Sequence, residues 1–273
     1  MKINKFKTGA AAAALLLSSG GAMAASITTT SGTFNNFGGF DWASNGSAIV
    51  DGYNPFAGLG GNSTFDLSYF ADASEVTDIF GNAIVGAGID LLLGNYEYTI
   101  LATLNETSTC TSIDLGGVCD SATFAVNSGS FDIWYDTSVD ADLGTGAGIT
   151  DGELLISGII GPQGGGGFDI ITGGNATLQA TVTYTNGAYI NPLLLTSTAA
   201  TTLQIGGNIT NWTAPTSMPS GAGGTTALPG GSIVMQADGN QSFIADVSEP
   251  GSLALLGLSL LGLAFTRRNG KKA

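Results

Sequence analysis

Apolar and polar residues alternate along several short segments of the chain, and Gly, Asn and Asp separate these segments. The clearest examples are residues 63–70 (STFDLSYF), 96–102 (YEYTILA) and 130–135 (SFDIWY). Alternation with a period of two is typical of a β-strand that has one buried face. The same reasoning predicts strands over five further segments: residues 153–160, 168–172, 176–184, 233–237 and 241–247.

Turn-forming residues predict how some of these strands connect. Gly173-Gly174-Asn175 and Asp238-Gly239-Asn240 each predict a hairpin turn. Residues 213–232, rich in Pro, Gly, Ser and Thr, form either a surface loop or a linker. The loop is favoured because the hairpin beyond it is too small to fold alone. No apolar stripe with helical spacing exceeds one or two turns between the two ends, so we expect an all-β fold, an antiparallel β-sandwich with jelly-roll-like packing.

Residues 1–24 have the three parts of a secretory signal peptide. Three lysines come first, the apolar run 10–17 follows, and the small residues Ala22, Met23 and Ala24 come last. Signal peptidase accepts small side chains at the third and the first position before the cleaved bond. We therefore predict a helical signal peptide that is cleaved after Ala24.

Residues 248–273 also have three parts. Ser248-Glu249-Pro250-Gly251 comes first, the apolar stretch 252–265 follows, and a basic cluster containing Arg267 and Arg268 comes last. A helix over that stretch is roughly 21 Å long, which is shorter than the roughly 30 Å hydrocarbon core of a membrane. We expect a short membrane helix that holds the chain in the inner membrane in transit, with the basic cluster on the cytoplasmic side.

This tail resembles the PEP-CTERM sorting signal of Gram-negative bacteria, in which Pro-Glu-Pro precedes a Leu- and Gly-rich helix and an Arg cluster. Ser248 stands where the first Pro is usual, whereas Glu249 and Pro250 match. The resemblance implies processing by an exosortase, delivery to the cell surface or extracellular matrix, and an association with exopolysaccharide and biofilm. The predicted domains are then a signal peptide at 1–24, an acidic β-sandwich at 25–247 and a sorting tail at 248–273.

Charge is divided between the ends and the middle of the chain. All seven Lys and Arg residues lie in the end segments, and Glu249 is the only one of 21 acidic residues outside residues 26–247. The middle therefore has 20 carboxylates and no basic side chain, which excludes nucleic acid as a partner. His is absent from the chain, so Ser/His/Asp triads and His metal ligands are excluded as well.

Cys110 and Cys119 are the two cysteines of the chain. An exported chain with a single pair is expected to oxidise it, and the disulfide would contribute about 2 kcal/mol by restricting the unfolded state. Their spacing is not Cys-x-x-Cys, which argues against a redox or metal role.

Five acidic residues fall between positions 136 and 153, and Asp136, Asp140 and Asp142 are the candidate metal ligands among them. Oxygen-rich loops bind Ca²⁺, although the spacing here matches neither the EF-hand loop nor the nonapeptide calcium repeat. Solvated turns between strands are the alternative. Calcium is the one cofactor that the sequence suggests.

The same region carries a second resemblance. Residues 131–136 (FDIWYD) and 151–158 (DGELLISG) resemble the body of flocculation-associated PEP-CTERM proteins, which are implicated in holding bacterial aggregates together. That resemblance implies a role in aggregation, and the lack of a reaction-specific constellation in the middle of the chain favours a non-enzymatic surface or matrix protein. Its expected partners, besides signal peptidase and exosortase, are exopolysaccharide or matrix components. Two alternatives stay open: a calcium-dependent carbohydrate-binding module, and a secreted glycan hydrolase that uses two carboxylates.

Overall fold

The computed structural model describes residues 24–87, 95–204 and 212–246. The predicted signal-peptide helix and the predicted membrane helix of the sorting tail lie outside these residues. The described residues form strands and turns, and they contain no helix that is long and apolar enough to cross a membrane.

Strands dominate the described part of the chain, and each pairs antiparallel with its neighbours. The four long strands β2 to β5 have 17 to 20 residues each. In chain order the strands are β1 (Ala25–Thr29), β2 (Gly32–Asp51), β3 (Asn62–Asp78), β4 (Glu97–Ile113), β5 (Cys119–Asp136), β6 (Glu153–Ile160), β7 (Gly165–Asp169), β8 (Gly173–Thr185), β9 (Ile190–Asn191), β10 (Leu194–Gln204), β11 (Ser217–Pro219), β12 (Thr225–Ala227) and β13 (Ile233–Ala245).

The main sheet closes on itself. Its neighbours follow chain order from β2 to β6 and continue through β8, β10 and β13. β13 pairs with β10 on one side and with β2 on the other, where Ile233 lies opposite Val50 and Ser242 lies opposite Gly39. The described strands therefore include a ring of eight, and its opposing halves pack face to face as in a sandwich.

The main hydrophobic core lies inside this ring. Inward side chains come from alternate positions, as in β4, where Tyr98, Ile100 and Leu104 are buried. Aromatic rings from strands that are not neighbours meet there, and the ring centroids of Phe131 in β5 and Phe243 in β13 are 6.4 Å apart. Contacts of this kind fix the two halves of the ring against each other.

A second, smaller core lies on the outer face of the ring. Ile49 of β2 and Phe70 of β3 are buried there together with Ile149. Two covering segments, residues 137–152 and residues 212–232, supply the other side of this core. The second covering segment contains the small β11–β12 hairpin and packs on the body as a surface loop.

The predicted all-β, antiparallel and sandwich-like fold is confirmed. Its strand order is simpler than that of a jelly roll, since strands adjacent in the chain are mostly adjacent in the sheet. An up-and-down order needs only short connections.

Two turns differ from the prediction. The β7–β8 turn lies at residues 170–172, because Asp169 accepts the N–H groups of Ile171 and Thr172 at 2.8 and 3.0 Å, so that Gly173 already begins β8. Asp238-Gly239-Asn240 lies inside β13 and not at a turn. There Ala237 pairs with Gly46 and Gly239 pairs with Trp42, so the register shifts because the extra residues 43–45 of β2 lie opposite Asp238 alone.

Candidate functional site

Glu97, the first residue of β4, is a carboxylate buried on the outer face of the ring. Its side chain is only 5 % exposed. The backbone N–H groups of Asp140 and Ala141, in the first covering segment, donate to its Oε1 at 3.2 and 3.0 Å. Thr99 fastens the same segment, since its hydroxyl donates to the carbonyl of Ile149 at 2.6 Å. These hydrogen bonds therefore hold the first covering segment against the start of β4.

Three aspartates come together beside Glu97. Asp136 ends β5 directly opposite Glu97, Asp140 lies in the first covering segment, and Asp151 comes shortly before β6. One carboxylate oxygen of each lies within 4.8 Å of those of the other two. We call Asp136, Asp140 and Asp151 the aspartate cluster. The structure thus brings together two of the three predicted ligands and adds Asp151.

Asp142, the third predicted ligand, does not belong to this cluster. Its Oδ1 accepts the N–H of Gly144 and its Oδ2 accepts the hydroxyl of Thr145, each at 2.8 Å. These bonds, led by that of Thr145, lower the pKa of Asp142. Its carboxylate is used to stabilise its own turn, a common role of Asp in loops.

Two glycines allow the chain to approach the aspartate cluster closely. Gly148 has a φ of +71°, and a Cβ there would lie 2.7 Å from the carbonyl oxygen of Asp140. Gly223, in the second covering segment, has a φ of +72°, and a Cβ there would lie 2.6 Å from the Cβ of Asp151. The left-handed conformation and the short contact both require glycine at these two positions.

The negative charges of this site repel one another. Burial raises the pKa of Glu97 to about 7, and the charges of Asp140 and Asp136 add to that rise while the two N–H donors oppose it. Burial and the charges of Asp151 and Asp136 also raise the pKa of Asp140. A bound cation would relieve this repulsion, and carboxylate oxygens are the ligands that Ca²⁺ prefers.

Sequence reasoning did not single out Glu97 or a second buried glutamate of β4, Glu106. Glu106 is 2 % exposed and faces inward, as Leu104 and Ser108 do. Extending the alternation of β4 beyond Ala102 would have placed it inside. The burial of Glu97 has no such signal, because it comes from a covering segment that is distant in sequence.

The predicted disulfide between Cys110 and Cys119 is confirmed. It joins the end of β4 to the start of β5. The N–H of Cys110 donates to the carbonyl of Gly61, and the N–H of Cys119 donates to that of Pro55. The bridge therefore also holds the loop at residues 52–61 that lies between β2 and β3.

The sorting tail is the part of the chain that matches a known family model. Residues 246–268 match the PEP-CTERM protein-sorting motif. The chain carries a PEP-CTERM sorting signal. Glu249, Pro250, Arg267 and Arg268 fall within the match. Comparison with curated proteins and with solved structures finds no match to the chain.

A PEP-CTERM signal indicates an exported protein that an exosortase sorts, with membrane-associated processing on the way to the cell surface. The match covers the tail alone. It therefore carries no information on the function of the body.

Proposed function

We propose that the body is a non-enzymatic surface or matrix protein that associates with acidic exopolysaccharide through divalent cations and contributes to biofilm or flocculation. The charge of the body is the observation that carries this proposal. Between residues 26 and 247 every ionisable side chain that is charged at neutral pH is negative. Such a surface repels an acidic polysaccharide unless a divalent ion bridges the two.

The aspartate cluster supports this proposal. Asp140 and Asp151 are exposed, whereas Asp136 is half-buried. A cation held by these three side chains would stay accessible to a carboxylate of the polysaccharide. The absence of His removes the side chain most often used for proton transfer at neutral pH, which favours a binding role.

Deletion of residues 248–273 tests the role in the cell. We expect the truncated protein to be lost from the surface fraction and cell aggregation to fall, since delivery depends on the tail. A strain that lacks the whole gene product is the reference. If that strain aggregates as its parent does, the matrix role is wrong. Release of new reducing ends from purified matrix glycans by the full chain would contradict a non-enzymatic role.

The second candidate function is a calcium-dependent carbohydrate-binding module, which the convergence of Asp136, Asp140 and Asp151 favours. Calorimetry of the full chain with purified matrix polysaccharide, with Ca²⁺ and with chelator, distinguishes the two. A module gives saturable binding that Asp151→Asn abolishes and Asp142→Asn leaves intact, because only the former residue belongs to the cluster. Bridging by the whole surface gives binding that both variants weaken slightly and that salt screens.

A further inference from the structure

A cavity interrupts the core at the end of the ring where the disulfide lies. Its volume is about 330 Å³, and its walls include the aromatic side chains of Tyr53, Phe65, Phe124 and Phe168. Aliphatic side chains such as Leu203 complete the lining. Cavities of this size, apolar with a few polar groups, are typical of sites for small organic ligands.

Glu106 lies in the wall of this cavity. Within residues 24–87, 95–204 and 212–246 no group donates a hydrogen bond to its carboxylate, and burial is the one cause that raises its pKa to about 7. Asp120 also lines the cavity, and its Oδ1 is buried without a hydrogen-bond partner among the described residues. Buried carboxylates without partners are unfavourable, so the cavity presents unsatisfied negative groups to whatever enters it.

The body cannot supply a counter-charge for Glu106. It contains no Lys, Arg or His between residues 26 and 247. A cation in the cavity must therefore come from a ligand. An inorganic ion fits poorly, because Ca²⁺ needs six to eight oxygen ligands and most of this wall is hydrocarbon. An organic ammonium fits well, since the faces of Phe65, Phe124 and Tyr53 attract cations while its hydrocarbon part fills apolar space.

Glu106 lies between the cavity and a smaller void of about 40 Å³ inside the ring. Both spaces are lined by Leu67, Glu106, Phe124 and Leu203. Pro55 and Ile170 also line the cavity, and their chain neighbours Phe56 and Ile171 are exposed. Apolar side chains therefore continue from the surface to the buried carboxylate.

We propose that this cavity binds an apolar organic amine, whose ammonium group pairs with Glu106 while its hydrocarbon part packs against Phe65, Phe124 and Phe168. This site is separate from the aspartate cluster. It goes beyond the proposed association with polysaccharide and does not depend on it.

Three probes of equal chain length test the proposal: octylamine, 1-octanol and octanoate. Each is titrated into the full chain at pH 8 by calorimetry, where Glu106 is ionised. We expect octylamine to bind roughly 10- to 100-fold more tightly than octanol, the range that one charge-assisted hydrogen bond gives, and octanoate to bind least. Equal affinity for octylamine and octanol, or no binding of octylamine at millimolar concentration, overturns the proposal.

Glu106→Gln is the decisive variant, because it removes the charge and keeps the shape. We expect it to remove most of the preference for octylamine over octanol, since Asp120 is the one other carboxylate in the lining. Asp66→Asn is the matched control: Asp66 lies on the neighbouring strand, is exposed, and accepts from Asn105 on the outer face. It should keep the preference. Thermal unfolding checks that both variants fold. If Glu106→Gln keeps the preference, or Asp66→Asn loses it, the pairing with Glu106 is wrong.

Discussion

β4 carries two buried glutamates whose surroundings differ. Glu97 faces outward, accepts two backbone N–H groups and lies beside the aspartate cluster. Glu106, nine residues later, faces the opposite side of the strand and lies in an apolar cavity without a donor. The two positions are roughly 30 Å apart along the strand. Burial nevertheless raises the pKa of each to about 7.

Burial of a carboxylate therefore does not by itself define what the carboxylate can bind. Outside the ring, Glu97 accepts two N–H groups of the first covering segment and lies beside the carboxylates of the aspartate cluster, whose oxygens are of the kind that metal ions prefer. Inside the ring, the walls around Glu106 offer aromatic carbon, which suits an organic cation. The same residue type on the same strand thus has two chemically different environments.

The largest expected effect comes from Glu106→Leu measured at pH 8. Replacing the unpartnered carboxylate with a side chain of similar size should raise the free energy of unfolding by roughly 3 kcal/mol, the equivalent of a pKa shift from 4.5 to about 7. Urea unfolding measures it. An unchanged or lower stability at pH 8 would mean that Glu106 has a partner in the folded state.

The sign of this effect fixes its pH dependence. A folded-state pKa above the unfolded value means that the folded state binds the extra proton between about pH 4.5 and 7. The wild-type chain should therefore lose stability as the pH rises through this window. Glu106→Leu should flatten the profile and give almost no gain at pH 4, whereas Glu97 contributes the same slope in both proteins.

Removal of the disulfide has the next largest expected effect, and it tests the cavity around Glu106. The double variant Cys110→Ser/Cys119→Ser should lower the free energy of unfolding by about 2 kcal/mol, because a short closed loop is freed in the unfolded state. Octylamine binding should weaken as well, since Cys119 lines the cavity. Calcium binding at the aspartate cluster should not change, and a change there would show that the two regions are coupled.

Glu97→Leu at pH 5 tests the hydrogen bonds of Glu97 on the outer face of the ring. There the wild-type glutamate is mostly neutral, so the variant loses two accepted hydrogen bonds and gains little from removing a charge. We expect the free energy of unfolding to fall by about 1–2 kcal/mol. Glu106→Leu under the same conditions should not destabilise the chain. If both variants have the same sign at pH 5, the contrast between the two glutamates is wrong.

The smallest expected effect concerns the approach of the second covering segment to Asp151. Gly223→Ala should cost about 1 kcal/mol, because its φ is positive and the new Cβ would contact Asp151. Gly221→Ala, in the same segment, is the matched control, since nothing lies within 4 Å of its Cβ position. Thermal unfolding of the pair measures the difference. Equal melting temperatures would mean that this close approach is not maintained in solution.

Much of the fold could be predicted from the sequence because its signals are local. The alternation in residues 63–70 and 130–135 lies in β3 and β5, and the cysteine pair predicted its disulfide. The prediction of a hairpin turn at Asp238-Gly239 was wrong, because pairing of β13 with β2 and β10 outweighs the local preference for a turn. Long-range pairing of this kind has no local signal.

The candidate sites were less predictable for the same reason. Asp136 and Asp140, two of the candidate ligands, lie in one cluster, whereas Asp142 comes from an equally acidic stretch but stabilises its own turn. Asp151 joins the cluster because β5 and β6 are paired, and the covering segments bury Glu97 from outside. Among these residues only the burial of Glu106 could be predicted from its own strand, because the alternation of β4 places it on the inward face.

The pairing of β13 with β2 has a consequence for the order of events during export. β13 ends at Ala245, and the sorting motif begins at residue 246. A chain that emerges N-terminus first releases β13 last, so the seam of the ring can close only when the residues next to the motif have crossed. We therefore expect the ring to close late in export, close to the moment when the motif reaches the membrane.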